Sequence, residues 1–158
     1  MVIKQMNPTT QEMLSSIATI DFSMVKLKLM DTEEGEGWSE DHCDRVEREY
    51  RRYLALSRQY PDRAIVPSKV VDTFWHFHIL DTQAYADDCN KAFGYFLHHY
   101  PYFGMRGEQD AQALGAAYDG TVALYESHFG SRRKNSGPGR AHPDARLAAV
   151  DARKSINF

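Results

Sequence analysis

The chain has 158 residues, enough for one domain with a self-sufficient apolar core. With 42% hydrophobic and 26% charged residues and a net charge of −3, it falls in the soluble globular range and gives little sign of a nucleic-acid binder. Cys43 and Cys89 make neither a disulfide framework nor a CxxC pair, and no stretch nears the roughly 18 apolar residues of a membrane span, so a soluble cytoplasmic protein is expected.

In chain order, Lys4 is followed by Asn7, Pro8 and a polar run, not by the apolar core of a signal peptide. Met13, Leu14, Ile17, Ile20, Met24 and Leu27 then recur at helical spacing and predict a first helix over Thr9 to Met30. After the turn Asp31 to Trp38, Ser39 is the natural N-cap of a second helix reaching about Tyr60. Its inward stripe is Cys43, Val46, Tyr50, Tyr53, Leu54 and Ser57; Arg45, Glu47, Arg48, Glu49, Arg51 and Arg52 fill its wet side. Pro61 stops it, and Arg63 to Val66 could form a brief extended stretch.

Ser68 caps a third helix through about Leu80. Asp81 or Thr82 caps a fourth, which Gly94 ends in a left-handed position after Phe93. Tyr85, Cys89, Ala92, Phe93 and Phe96 form its inward stripe, and Phe74, Trp75, Tyr85 and Phe96 are expected core aromatics. A fifth helix runs from about Gly107 to Phe129, with His128 placed to meet its C-terminal dipole. No segment sustains period-2 alternation, and no internal repeat is present. The fold expected is an all-α, single-domain bundle of about five helices over residues 1–130.

Residues 131–158 differ in composition. They hold seven basic residues (Arg132, Arg133, Lys134, Arg140, Arg146, Arg153, Lys154) against Asp144 and Asp151, and open with the linker-like SRRKNSGPGRAHP. A flexible basic tail is expected, with at most a short helix over 144–154. Such spread charge serves solubility first, although it could touch RNA or an acidic partner.

Chemistry concentrates between Val71 and Phe103. The run VDTFWHFHILDTQAYADDCNKAFGYFLHHYPYF carries four of the seven histidines and one of the two cysteines among large aromatics. Burying imidazole, thiolate and carboxylate is costly unless each finds a partner. At ~100° per residue, His76 and His78 lie roughly 200° apart on a regular helix and cannot grip one ion together. His78 shares the core face with Val71, Phe74 and Trp75, whereas Asp72 and His76 are an i, i+4 pair. Asp72 could be a co-ligand or the acceptor that fixes the His76 tautomer. Cys89 points at the core, Asp81 is first a cap, and His98 and His99 point different ways, so at most one of them joins a given site.

The elements around Val71-Asp72, Trp75 to Thr82, Tyr85, Asp88-Cys89, Phe93-Gly94 and Leu97-His98-His99-Tyr100-Pro101 resemble the glycine-rich domain-containing protein-like family. Tyr50 to Ser68 fits that family's lead-in, and the likeness covers roughly residues 10–130. It implies a helical domain whose hallmark is these histidines, and it brings no reaction with it. Relatives often continue into a Gly-rich or Cys-rich region, which this tail lacks.

No GxSxG, P-loop, HExxH or dinucleotide fingerprint is present, and a mixed His/carboxylate set disfavours an all-cysteine zinc site. The leading expectation is a metal site for Fe, Zn or Cu drawn from His76, His78, His98, His99, Asp72, Asp81 and Cys89, in an enzyme or not. The alternative is a protein-interaction module whose histidines form a buried hydrogen-bond network. A third reading is a pH sensor in which buried histidines open the bundle on protonation. The substrate or partner, small molecule or protein, is not specified by any of these motifs.

Overall fold

Glu40–Gln59 is the helix around which the others assemble. Its Cys43, Val46, Tyr50, Tyr53, Leu54, Ala55, Leu56 and Ser57 are all buried, and the Ser39 hydroxyl accepts from the His42 N–H at its start. The computed structural model describes residues 9–130. It contains six helices and, among the described residues, no strand: α1 Thr10–Ala18, α2 Ser23–Met30, α3 Glu40–Gln59, α4 Lys69–Leu80, α5 Thr82–Phe93 and α6 Glu108–Phe129. The basic segment 131–158, with its expected tail and short helix, lies outside the described residues.

The single helix expected over Thr9 to Met30 is two helices, because side chains there compete for the backbone. The Thr19 hydroxyl donates to the Ser16 carbonyl at 3.3 Å, and the Asp21 carboxylate accepts from the Ser23 N–H at 2.9 Å. Arg51 of α3 then fills the gap: its guanidinium donates to the Ile17 and Ile20 carbonyls at 2.7 and 2.8 Å. It also pairs with Glu47 at 2.6 Å and lies over the Phe22 ring. The wet-side reading of Arg51 and Glu47 therefore fails, since both are half-buried in this junction. The break also rotates the apolar stripe, so Val25 and Leu29 are buried while Met24 and Leu27 are exposed.

α4 lies beside α3 and packs against α2, α3 and α5, which accounts for its nearly all-round apolar surface. Trp75 and Phe74 are fully buried against α3 and Phe22, with Trp75 5.4 Å from the Tyr53 ring and Phe74 5.0 Å from the Tyr50 ring. Asp81 caps α5 by accepting from the Ala84 N–H, and Gly94 ends it at φ 76°, both as expected. A smaller cluster of Val66, Phe103 and Leu114 seats α6, and the Val66 N–H donates to the Thr121 hydroxyl at 2.9 Å.

The α1–α2 junction supplies a test. Arg51→Met removes two charge-assisted bonds to the Ile17 and Ile20 carbonyls and the pair with Glu47, so urea unfolding should show a loss of roughly 2 kcal/mol. A loss under about 0.5 kcal/mol would mean that water replaces the guanidinium without penalty.

Candidate functional site

Two separate polar centres grow from α4. Asp72 sits in its first turn, where the helix dipole favours a carboxylate. One turn on, His76 projects from the same face as an i, i+4 neighbour, its Nε2 3.5 Å from Asp72 Oδ2. The third member arrives from the segment after α5: His99 Nε2 lies 3.0 Å from Asp72 Oδ1 and 3.1 Å from His76 Nε2.

These three residues form the one group of this kind among the described residues, each offering a ligand atom within 4.8 Å of the others. Bonds of about 2.0–2.1 Å to a four-coordinate ion would set ligand atoms roughly 3.3 Å apart, so the observed spacings suit a transition metal. Proton bookkeeping points the same way. An ionised carboxylate only accepts, and each neutral Nε2 either donates or accepts, so the three converging contacts cannot all be satisfied by protons on neutral rings. A cation at the centre, facing three lone pairs, would satisfy all of them.

Burial lowers the His76 pKa below its ordinary 6.5, and the His99 ring adds to that while Asp72 opposes it. A neutral imidazole is the form that metals bind. Asp72 and His99 are largely enclosed, whereas the His76 side chain is 46% exposed, so the group is open on the His76 side. His99 rests on the Trp75 indole with ring centroids 4.4 Å apart.

The second centre is buried on the opposite side of α4. His78 accepts from the Tyr50 phenol at Nδ1 (2.8 Å), and its Nε2 meets Asp88 Oδ2 at 2.9 Å. Burial holds the Tyr50 phenol protonated well above its usual range. Tyr50 is therefore the donor, which fixes Nε2–H of His78 as the donor to Asp88. The rings of Phe22 and Tyr85 flank the imidazole edge-on at 5.0 and 4.9 Å. Burial also lowers the His78 pKa, with Asp88 pulling the other way. The centre is a satisfied polar chain, buried at His78 and reaching the partly exposed Asp88.

The seven candidate residues thus fall into distinct places. Asp72, His76 and His99 come together; His78 belongs to the other centre; Asp81 is the α5 cap. Cys89 is buried in the core, its thiol pushed up by burial and facing Tyr85 and the Leu97 backbone. His98 is exposed and packs on Phe96 at 4.8 Å, away from the three-ligand group.

Three further expectations change. Phe96 is not a core aromatic but 45% exposed, because the helix has ended at Gly94 and the chain no longer follows its stripe. His128 is more than a dipole partner, since its Nε2 is 2.7 Å from the Tyr60 hydroxyl. Tyr50 and Asp88 were not singled out as partners of His78; the signal was their position on the inner faces of neighbouring helices, which needs the packing to interpret.

A family model described as UCP032817-like matches residues 12–119, and the chain belongs to that uncharacterised family. The match contains both α4 centres and does not extend to the glycine-rich label. No curated protein and no solved structure matches. No helix among the described residues is long and apolar enough to cross a membrane.

Because the folded-state pKa of His78 is depressed, the unfolded chain takes up that proton first. Its contribution is complete above the ordinary value of 6.5 and is lost as pH falls below it toward the lower folded-state pKa. In EDTA, the melting midpoint should drop between about pH 7.5 and pH 5.5, with a shallower slope in His78→Gln. Equal slopes in the two proteins would remove His78 from the pH response.

Proposed function

We propose that this member of the UCP032817-like family is a small metal-binding helical protein, with Asp72, His76 and His99 as the protein ligands of one divalent transition ion. The observation that carries this is the convergence of three residues, with the two Nε2 atoms 3.1 Å apart, His99 3.0 Å from one Asp72 carboxylate oxygen and His76 3.5 Å from the other. Two imidazoles and one carboxylate with no thiolate favour Fe(II) or Zn(II), with Cu(II) also compatible. The exposed side beside His76 leaves room for water or a small molecule on the ion, as catalytic sites require and closed structural sites do not. When bound, such an ion would supply Lewis acidity and a more acidic bound water. The chain's own part is to orient the ligands: Asp72 through the first turn of α4, and His99 through its packing on Trp75. Both cysteines are free and buried, which fits a reducing cytoplasm as the compartment.

A second reading draws on the Tyr50–His78–Asp88 chain: a non-enzymatic interaction module whose buried histidine specifies one core arrangement. The two readings assign different jobs to neighbouring histidines and separate cleanly by substitution.

Untagged protein, purified and then loaded with Fe(II), Zn(II) or Cu(II), should hold about one ion per chain by elemental analysis. His76→Ala and His99→Ala should each weaken binding at least about tenfold, while His78→Gln should lower the melting midpoint and leave stoichiometry intact. Cu(II) should also quench Trp75, which lies against His99. Sub-stoichiometric metal unaffected by either alanine substitution would leave only the second reading.

A further inference from the structure

The residues after α5 alternate in direction. Leu97 and His99 turn inward, while Phe96 and His98 turn outward onto a different surface. That surface is the wall of a cavity of about 390 Å³ between this segment and the chain that follows α3. It lies within the usual range for small-molecule sites.

Four rings line it: Tyr60, Tyr95, Phe96 and His98. Tyr95, Phe96 and His98 are exposed and Tyr60 half-buried, so the hollow offers ring faces and edges to a planar ligand. Ser57 also lines the hollow; it is 6% exposed, and its hydroxyl neighbours the Tyr53 phenol.

Two charges of opposite sign complete the lining. Asp62 and Arg63 are neighbours in the turn where the Arg63 N–H donates to the Tyr60 carbonyl at 3.1 Å. Among the described residues they form no ion pair, with each other or with another side chain. The Arg63 guanidinium is nonetheless held in place. It lies 5.7 Å from the Tyr60 ring centroid and passes close over Gly120, where a Cβ would come within 3.4 Å of its Nη2. The opposite wall is fixed as well, because the Leu97 carbonyl accepts from the buried Tyr85 hydroxyl. A cavity whose walls are already in place loses little entropy on binding.

We infer that this cavity is a binding site for a free aromatic α-amino acid, separate from the Asp72–His76–His99 group. The ligand's carboxylate pairs with Arg63, its ammonium with Asp62, and its ring packs among the four aromatic side chains. Only a zwitterion uses both unpaired charges at once. A purely anionic ligand leaves Asp62 repelling it, and a purely cationic one leaves Arg63 doing so.

The test uses the full chain in EDTA, with L-phenylalanine, 3-phenylpropionate and 2-phenylethylamine as probes, followed by saturation-transfer NMR and calorimetry. L-Phenylalanine should bind at least about tenfold more tightly than either probe lacking one charge. Arg63→Gln should weaken L-phenylalanine and 3-phenylpropionate but not 2-phenylethylamine; Asp62→Asn should weaken L-phenylalanine and 2-phenylethylamine but not 3-phenylpropionate. Phe96→Ala should weaken all three, and His76→Ala should change none, which keeps this result independent of the metal reading. No saturation transfer to L-phenylalanine at about 10 mM, or equal binding of all three probes unaffected by Arg63→Gln and Asp62→Asn, would overturn the inference.

Discussion

A buried indole N–H must find an acceptor, and in this protein the one it finds sets the position of the candidate metal group. Trp75 is fully buried, and its Nε1–H donates to the Tyr85 hydroxyl at 2.9 Å. That hydroxyl in turn donates to the Leu97 carbonyl. Two hydrogen bonds therefore tie α4, α5 and the segment after α5 together. Fixing Leu97 fixes His99 two residues on, against the same indole and within reach of Asp72 and His76. The tie has no exposed member to give way to water, so the segment that carries His99 is anchored to the core.

The same helix solves two chemical problems with neighbouring histidines. His76 and His78 diverge around α4, so one reaches the surface beside Asp72 and the other enters the core between Tyr50 and Asp88. Enclosure gives them different uses. His78 has a donor on one nitrogen and an acceptor on the other, and its tautomer is determined; His76 and His99 face each other with Nε2 atoms that protons cannot fully satisfy. A polar chain with every hydrogen bond satisfied specifies packing, whereas a convergent one with lone pairs left over invites a cation.

Much of this was legible in the sequence wherever local rules decide. The i, i+4 relation of Asp72 and His76, the divergence of His76 and His78, the Asp81 cap and the left-handed Gly94 follow from helix periodicity and backbone sterics alone. The rest depended on tertiary partners. The first helix breaks where Arg51, some thirty residues away, binds the Ile17 and Ile20 carbonyls, a partner that periodicity cannot anticipate. Choosing His99 over His98 needed the Leu97 anchor, and finding Tyr50 and Asp88 needed the packing of α3 and α5 against α4. Phe96 misled for a related reason: its helical stripe continues in the sequence after the helix itself has ended.

The claim at the centre of this account is that His76 and His99, and no other histidine or cysteine, ligate the ion with Asp72. X-ray absorption at the metal edge of the loaded protein tests it most directly. The account expects two imidazoles and no sulfur, with one imidazole lost in His99→Ala and both retained in His78→Gln. Three or more imidazoles, a sulfur ligand from Cys89, or a coordination shell unchanged by His99→Ala would contradict it.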